Sequence, residues 1–187
     1  MYENIILQLH FTTFGEKHME KQAKYIRVSA DSNELCHVFE TLMYGYIDEL
    51  NEHSDRPLPK EFHLKWINSI IAMQGPTDRH LELCYIDGLP IGFLYGKIDR
   101  EDHKGFIKPG YGYIMEFYVK PDHRRNGYGR MMFRHLEQLF RLDGAKMMYL
   151  TADPVTGKPF WEALGFQNTT EKSPENQLDI YERPLEP

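Results

Sequence analysis

Between Tyr111 and Gly144 the chain runs from its most strand-like segment straight into a helix, through one proline and two glycines. Tyr111–Val119 reads as a strand, and Pro121 stops it because a proline has no N–H for a ladder. Gly127 opens a helix carrying Met132, Leu136 and Leu139 at helical spacing, and Gly144 stands where a left-handed cap ends it. A strand turning directly into a helix demands a layered architecture, with the helix laid back on a sheet. The junction also has chemistry. Gly127 and Gly129 let backbone approach a ligand with no Cβ in the way. The first N–H groups of the helix lack internal partners and lie at the positive end of its dipole, so they suit a pyrophosphate. Arg124, Arg125 and Arg130 add full charges nearby. The plain alternative is a glycine-capped helix start.

Charge singles out the same place. The chain of 187 residues carries a net −6, yet Lys120 to Arg134 sums to +4, leaving −10 elsewhere. An acidic protein with one basic island suits a local anion and disfavours nucleic acid. At 41% apolar, 13% aromatic and 27% charged residues, the chain can build one ordinary globular core. No apolar stretch approaches the ~20 residues of a membrane span. Met1-Tyr2-Glu3-Asn4 is no positive leader, and Cys36 and Cys84 cannot make a disulfide framework. These features predict a cytoplasmic protein with reduced thiols and no membrane contact.

Along the chain, Ile5, Leu7, Leu9 and Phe11 alternate as an extra strand would, and a polar stretch follows. Tyr25–Ala30 predicts a strand ending at the helix-start signal Asp31-Ser32. Leu35, Phe39, Leu42, Tyr46 and Leu50 share one face of the first helix; Phe62, Trp66, Ile70 and Met73 share one face of the second. His80–Ile86 and Ile91–Ile98 flank Asp87-Gly88-Leu89-Pro90 as a hairpin with a four-residue turn. Met147–Thr151 predicts a strand, Thr156–Leu164 a short helix ended by Gly165, and Leu178–Glu182 a last strand. The order β-α-α-β-β-β-α-β-α-β predicts one α/β domain, a mixed sheet with helices on both faces.

Competing chemistries fail on spacing. Position 132 is Met where a dinucleotide fingerprint needs glycine, and Gly157-Lys158 is followed by Pro159 where a P-loop needs Ser or Thr. Nine histidines show no His-Glu-x-x-His spacing and no Cys-x-x-Cys exists, so no metal is expected. Cys36 and His37 are neighbours on a helix and point about 100° apart.

Two segments carry a family resemblance. Arg124-Arg125-Asn126-Gly127-Tyr128-Gly129 is similar to the Arg/Gln-x-x-Gly-x-Gly/Ala signature of the GNAT acyltransferase superfamily. Phe160-Trp161-Glu162-Ala163-Leu164-Gly165-Phe166 resembles the segment that closes that family's last helix. The resemblance covers about residues 24–184, leaving 1–22 as an N-terminal extension of a single domain. It implies a mostly antiparallel twisted sheet whose central strands, here Tyr111–Val119 and Met147–Thr151, splay apart around acetyl-CoA. Backbone of Phe117, Tyr118 and Val119 would then pair with the pantetheine arm. The loop from Arg124 through Asn126, Gly127, Tyr128 and Gly129 to Arg130 would take the pyrophosphate. Thr156, Lys158 and Phe160 would border the cofactor.

The resemblance also implies a glutamate base on the fourth strand. Glu116 is the one carboxylate on Tyr111–Val119, between Met115 and Phe117. Strict alternation sets it opposite Val119, so its access depends on a bulge or on the splay. Trp161 stands where many members carry a tyrosine acid, and an indole N–H does not titrate. Water, Tyr113 or Tyr149 could protonate the thiolate, or it could leave unaided. Tyr44, Tyr46, Glu49, His53, His63 and Trp66 would border the acceptor. The leading expectation is an N-acetyltransferase acting on a small primary amine. A protein or peptide N-acetyltransferase and a non-catalytic acyl-CoA sensor are the alternatives. Residues 1–22 either form a homodimer contact or pack on their own domain.

Overall fold

The computed structural model describes residues 23–185, apart from 55 and 156. The strand expected over Ile5–Phe11 lies outside the described residues. In chain order the elements are β1 (Ala23–Arg27), α1 (Asn33–Glu52), α2 (Lys60–Ala72), β2 (Arg79–Ile86), β3 (Leu89–Ile98) and β4 (Gly112–Val119). They continue with α3 (Tyr128–Leu142), β5 (Met147–Thr151), α4 (Lys158–Ala163), β6 (Gln167–Lys172) and β7 (Asp179–Pro184). The described strands form one sheet in the order β1-β2-β3-β4-β5-β7-β6. Every neighbouring pair is antiparallel except β4 with β5. The fold class expected from the sequence is the one observed.

Alternation along the strands divides the core between two faces. Phe93 and Tyr95 of β3 join Phe39, Met43, Ile47 and Ile67 under α1 and α2. Leu94 points the other way, to Met132, Leu136, Phe140 and Met148 under α3. Phe140 lies flat on Gly96 and Gly112, where an added Cβ would come within 2.5 and 2.4 Å of its ring. Two part-buried pairs fasten α3 to β2: His80 to Asp143 at 2.5 Å and His135 to Glu82 at 2.6 Å. The helix that opens at Gly127 is therefore rigidly seated.

Local expectations needed four corrections. The hairpin turn is two residues, Asp87 (φ 52°) and Gly88 (φ 80°), both left-handed as a tight antiparallel turn requires. Pro90 lies inside β3 because it sits beside a register shift at Cys84/Tyr85. In α2 the buried face is His63, Ile67 and Ile70, while Phe62 is 50% and Met73 39% exposed. His63 can be buried because its Nε2 meets the Leu58 carbonyl at 2.9 Å. Finally, β6 is an edge strand of polar residues, which has no apolar alternation to betray it. Ser32 caps α1 as expected, accepting from the Leu35 N–H.

Candidate active site

β4 pairs with β3 along its length, but with β5 only at Gly112↔Met148 and Tyr113↔Tyr149. Beyond Tyr113 the two strands part, so the β5-facing edge of β4 is open. Ladder alternation decides which backbone groups face the gap. Lys120 N–H donates to Ile91 O, so Tyr118 bonds toward β3 while the peptide groups of Phe117 and Val119 face the opening. The Val119 carbonyl is already taken by Arg124 Nε at 2.8 Å. Of the three residues expected to offer backbone there, Phe117 and the Val119 N–H do so.

Below the gap lies an aromatic floor. Phe117 stacks on Phe160 at 5.8 Å, and Trp161 packs edge-on against Phe117, Phe133, Phe160 and Phe166. Trp161 is a buried core residue. An added Cβ at Gly129 would meet the Phe160 ring at 3.1 Å, so this glycine serves packing as well as approach.

After Val119 the chain makes a short helical turn over Pro121–His123 and enters α3. Arg125 (φ 62°) and Gly127 (φ 82°) both take left-handed backbone, and Gly127 caps α3 with no side-chain hydrogen bond. A Cβ at Gly127 would meet nothing within 4 Å, which leaves an open cradle over uncapped N–H groups. Asn126 braces the turn by donating to the His123 and Arg124 carbonyls. Tyr128 is half-buried beside His123; Arg125 and Arg130 are exposed. Arg124 turns away to α1, where its guanidinium forks onto Glu49. Lys158 starts α4 and pairs with Glu162 at 3.8 Å. Thr156 lies outside the described residues.

Glu116 lies beside a bulge in β4. Tyr95 pairs with Glu116 and Gly96 with Ile114, so Met115 is an extra residue on β4. The bulge turns Met115 and Glu116 together toward α1 and α2, as strict alternation would not. There the Tyr46 hydroxyl donates to Oε2 of Glu116 at 2.8 Å. Burial raises the Glu116 carboxyl to about 7, against a smaller opposing effect of the Tyr46 bond. A carboxyl poised there suits a general base near neutral pH. Tyr113 sits where the strands part, stacked on Tyr149 at 4.4 Å, and burial pushes its phenol up to about 12. The Tyr149 hydroxyl donates to buried Asp99.

Of the expected acceptor border, Tyr46 and Trp66 pack together at 6.3 Å above Glu116, and Glu49 holds Arg124. His63 is spent on Leu58, while Tyr44 and His53 are exposed. The Tyr46–Glu116 bond joins residues 70 positions apart and has no local signal. Among the described residues no cluster of His, Cys, Asp and Glu is arranged for a metal, and no helix is long and apolar enough to cross a membrane.

The sheet is thus opened between its two central strands, with an uncapped glycine-led helix at the mouth. The family model described as "Acetyltransferase (GNAT) family" matches residues 33–166, and the chain belongs to that family. No curated protein matches it. Solved structures agree on the fold. The PaiA N-acetyltransferase of Thermoplasma acidophilum, in complex with coenzyme A, is 16% identical with a TM-score of 0.64, covering 87% of this chain and 98% of its own. An acetyltransferase of Thermus thermophilus is 21% identical with a TM-score of 0.60, at 87% and 96% coverage. The ribosomal-protein alanine N-acetyltransferase of Escherichia coli is 14% identical with a TM-score of 0.57, at 88% and 95% coverage.

Proposed function

We propose that the chain is an N-acetyltransferase that moves an acetyl group from acetyl-CoA to a primary amine of a small molecule, by direct attack in a ternary complex. The observation that carries this reading is Glu116, set beside the β4 bulge on the face toward α1 and α2 and held there by Tyr46, with a carboxyl poised near 7. Acetyl-CoA supplies the activated acyl group. The uncapped start of α3, Arg125 and Arg130 would take its pyrophosphate, with Asn126, Gly127, Tyr128 and Gly129 shaping the loop. The open edge of β4 would pair with its pantetheine arm, over Phe160 and Trp161. The coenzyme A named with the Thermoplasma structure fits that assignment.

The chemistry exchanges a C–S bond for a C–N bond and removes two protons from an ammonium acceptor. Glu116 takes the first and passes it to solvent, the freed nitrogen lone pair forms a bond to the acetyl carbonyl carbon, and the C–S bond breaks to release coenzyme A thiolate. The second proton, lost from the nitrogen as the amide forms, balances the thiolate through solvent. Glu116 and Asp153 bear on Tyr46, while Glu49 is already paired with Arg124, and this acidic remainder favours a cationic acceptor. The β3–β4 loop and the β6–β7 hairpin are tied across the same sheet face by Lys108 to Glu171 and Glu182, and by Phe106 N–H to Glu175.

The test is thiol release from acetyl-CoA against a panel of diamines, arylalkylamines, amino sugars and short peptides with free N-termini. The account expects turnover with at least one small amine. Turnover with peptides alone would establish the peptide reading. Acetyl-CoA binding with no turnover on any amine would establish the sensor.

A further inference from the structure

We infer that Tyr46 is the positioning residue of the base: its hydroxyl takes Oε2 of Glu116, fixes the direction of the carboxyl, and leaves Oε1 for the acceptor. This rests on the reading of Glu116 as the base and names a residue, 70 positions away on α1, that makes it one.

Three aromatic neighbours fix the donor itself. The Tyr46 ring lies 6.3 Å from Trp66, 5.9 Å from Phe93 and 5.7 Å from Tyr118, each tilted or edge-on. The preceding Gly45 lets the Tyr118 hydroxyl approach to 3.0 Å of where a Cβ would stand, so α1 sits close on β4. A phenol has few torsions to lose, and packing on three sides removes the rest. Its hydroxyl then makes one hydrogen bond, 2.8 Å long, to the carboxylate. The Oε1 oxygen accepts no hydrogen bond among the described residues. A proton arriving from the acceptor has one oxygen to go to.

The phenol is a permanent donor. Burial first, then the charge of Glu116, Asp153 and Glu49, hold it well above its ordinary value, so it neither ionises nor shuttles protons in the working range. Its hydrogen bond favours the charged carboxylate and works against the desolvation that raises Glu116. Tyr46 is thus what keeps a dehydrated carboxylate usable near neutral pH.

The experiment is a carbon-13 NMR titration of the glutamate carboxyls in the full chain, wild type against Tyr46→Phe, with the Glu116 signal assigned by its loss in Glu116→Gln. The expected result is a midpoint that rises by about one pH unit or more in Tyr46→Phe, the effect of losing a hydrogen bond to a charged group. Trp66→Leu, which loosens the ring and keeps the hydroxyl, should raise it by less and serves if Tyr46→Phe does not fold. An unmoved midpoint overturns the inference whatever the enzyme does. The pH profile of thiol release with the best acceptor of the amine panel separates the two readings. An acid limb that rises with the midpoint supports both. A midpoint that rises while the limb stays put leaves Tyr46 coupled to Glu116 and removes Glu116 as the base.

Discussion

Arg124 is folded back onto Glu49: its guanidinium forks across the Glu49 carboxylate while its Nε donates to the Val119 carbonyl. The same guanidinium lies 5.7 Å from the Tyr118 ring. An arginine of the loop before α3 therefore anchors that loop to α1, the helix that also carries Tyr46. Because Arg124 is partly exposed, solvent screens the pair. A double-mutant cycle of Arg124→Ala and Glu49→Ala in urea unfolding should return a coupling of about 0.5–1 kcal/mol that shrinks at high salt. Zero coupling would show a contact without energetic weight.

Gly127 and Gly129 should fail differently. Valine at Gly127 must hold left-handed backbone, at a cost of roughly 1–2 kcal/mol, and projects into the open cradle. The folded variant should lose the thermal shift given by acetyl-CoA, which at 100 times its Kd amounts to about 2.7 kcal/mol in wild type. Gly129→Ala instead presses on the Phe160 ring and should weaken binding less while lowering Tm. Undiminished acetyl-CoA binding in Gly127→Val would remove the loop from the cofactor site.

Burying Glu116 should cost stability in a pH-dependent way. Its carboxyl lies at about 7 in the native protein against an ordinary value of 4.5, so between these the native state holds a proton the unfolded state has lost. Stability from this group is full below the lower value and falls as pH rises to the higher one. Glu116→Gln should therefore be more stable than wild type at pH 8, by on the order of 2 kcal/mol, and equal to it near pH 4. Urea melts at the two pH values test this; a gain at low pH would reverse the sign and refute it.

Trp161 is a packing residue where the family often has a tyrosine. Its four aromatic neighbours and near-complete burial predict that Trp161→Tyr lowers Tm and does not raise kcat. A higher kcat would show that proton delivery to the thiolate limits turnover, and would return attention to Tyr113.

What the sequence showed was local. Pro121, Gly127 and Gly144 act on their own backbone, so the strand, turn and helix of the junction were legible without tertiary knowledge. The splay of β4 from β5 followed from the family resemblance carried by that junction. What depends on partners was not legible. The bulge at Met115 exists in the register between β3 and β4, and nothing in Ile114-Met115-Glu116 announces it. Charge counting located the basic island but could not show that Arg124 is neutralised by a residue 75 positions earlier. The α2 face was misread because His63 looks polar until its carbonyl partner is seen.

The most direct measurement is kcat/KM for the acceptor across pH in wild type and Glu116→Gln, beside the Kd of acetyl-CoA. If Glu116 is the base, wild type should lose activity as pH falls through about 7. Glu116→Gln should lose roughly 10²–10⁴ in kcat/KM together with that acid limb, and keep its acetyl-CoA affinity within about threefold. A loss below about tenfold with the limb intact would contradict the account.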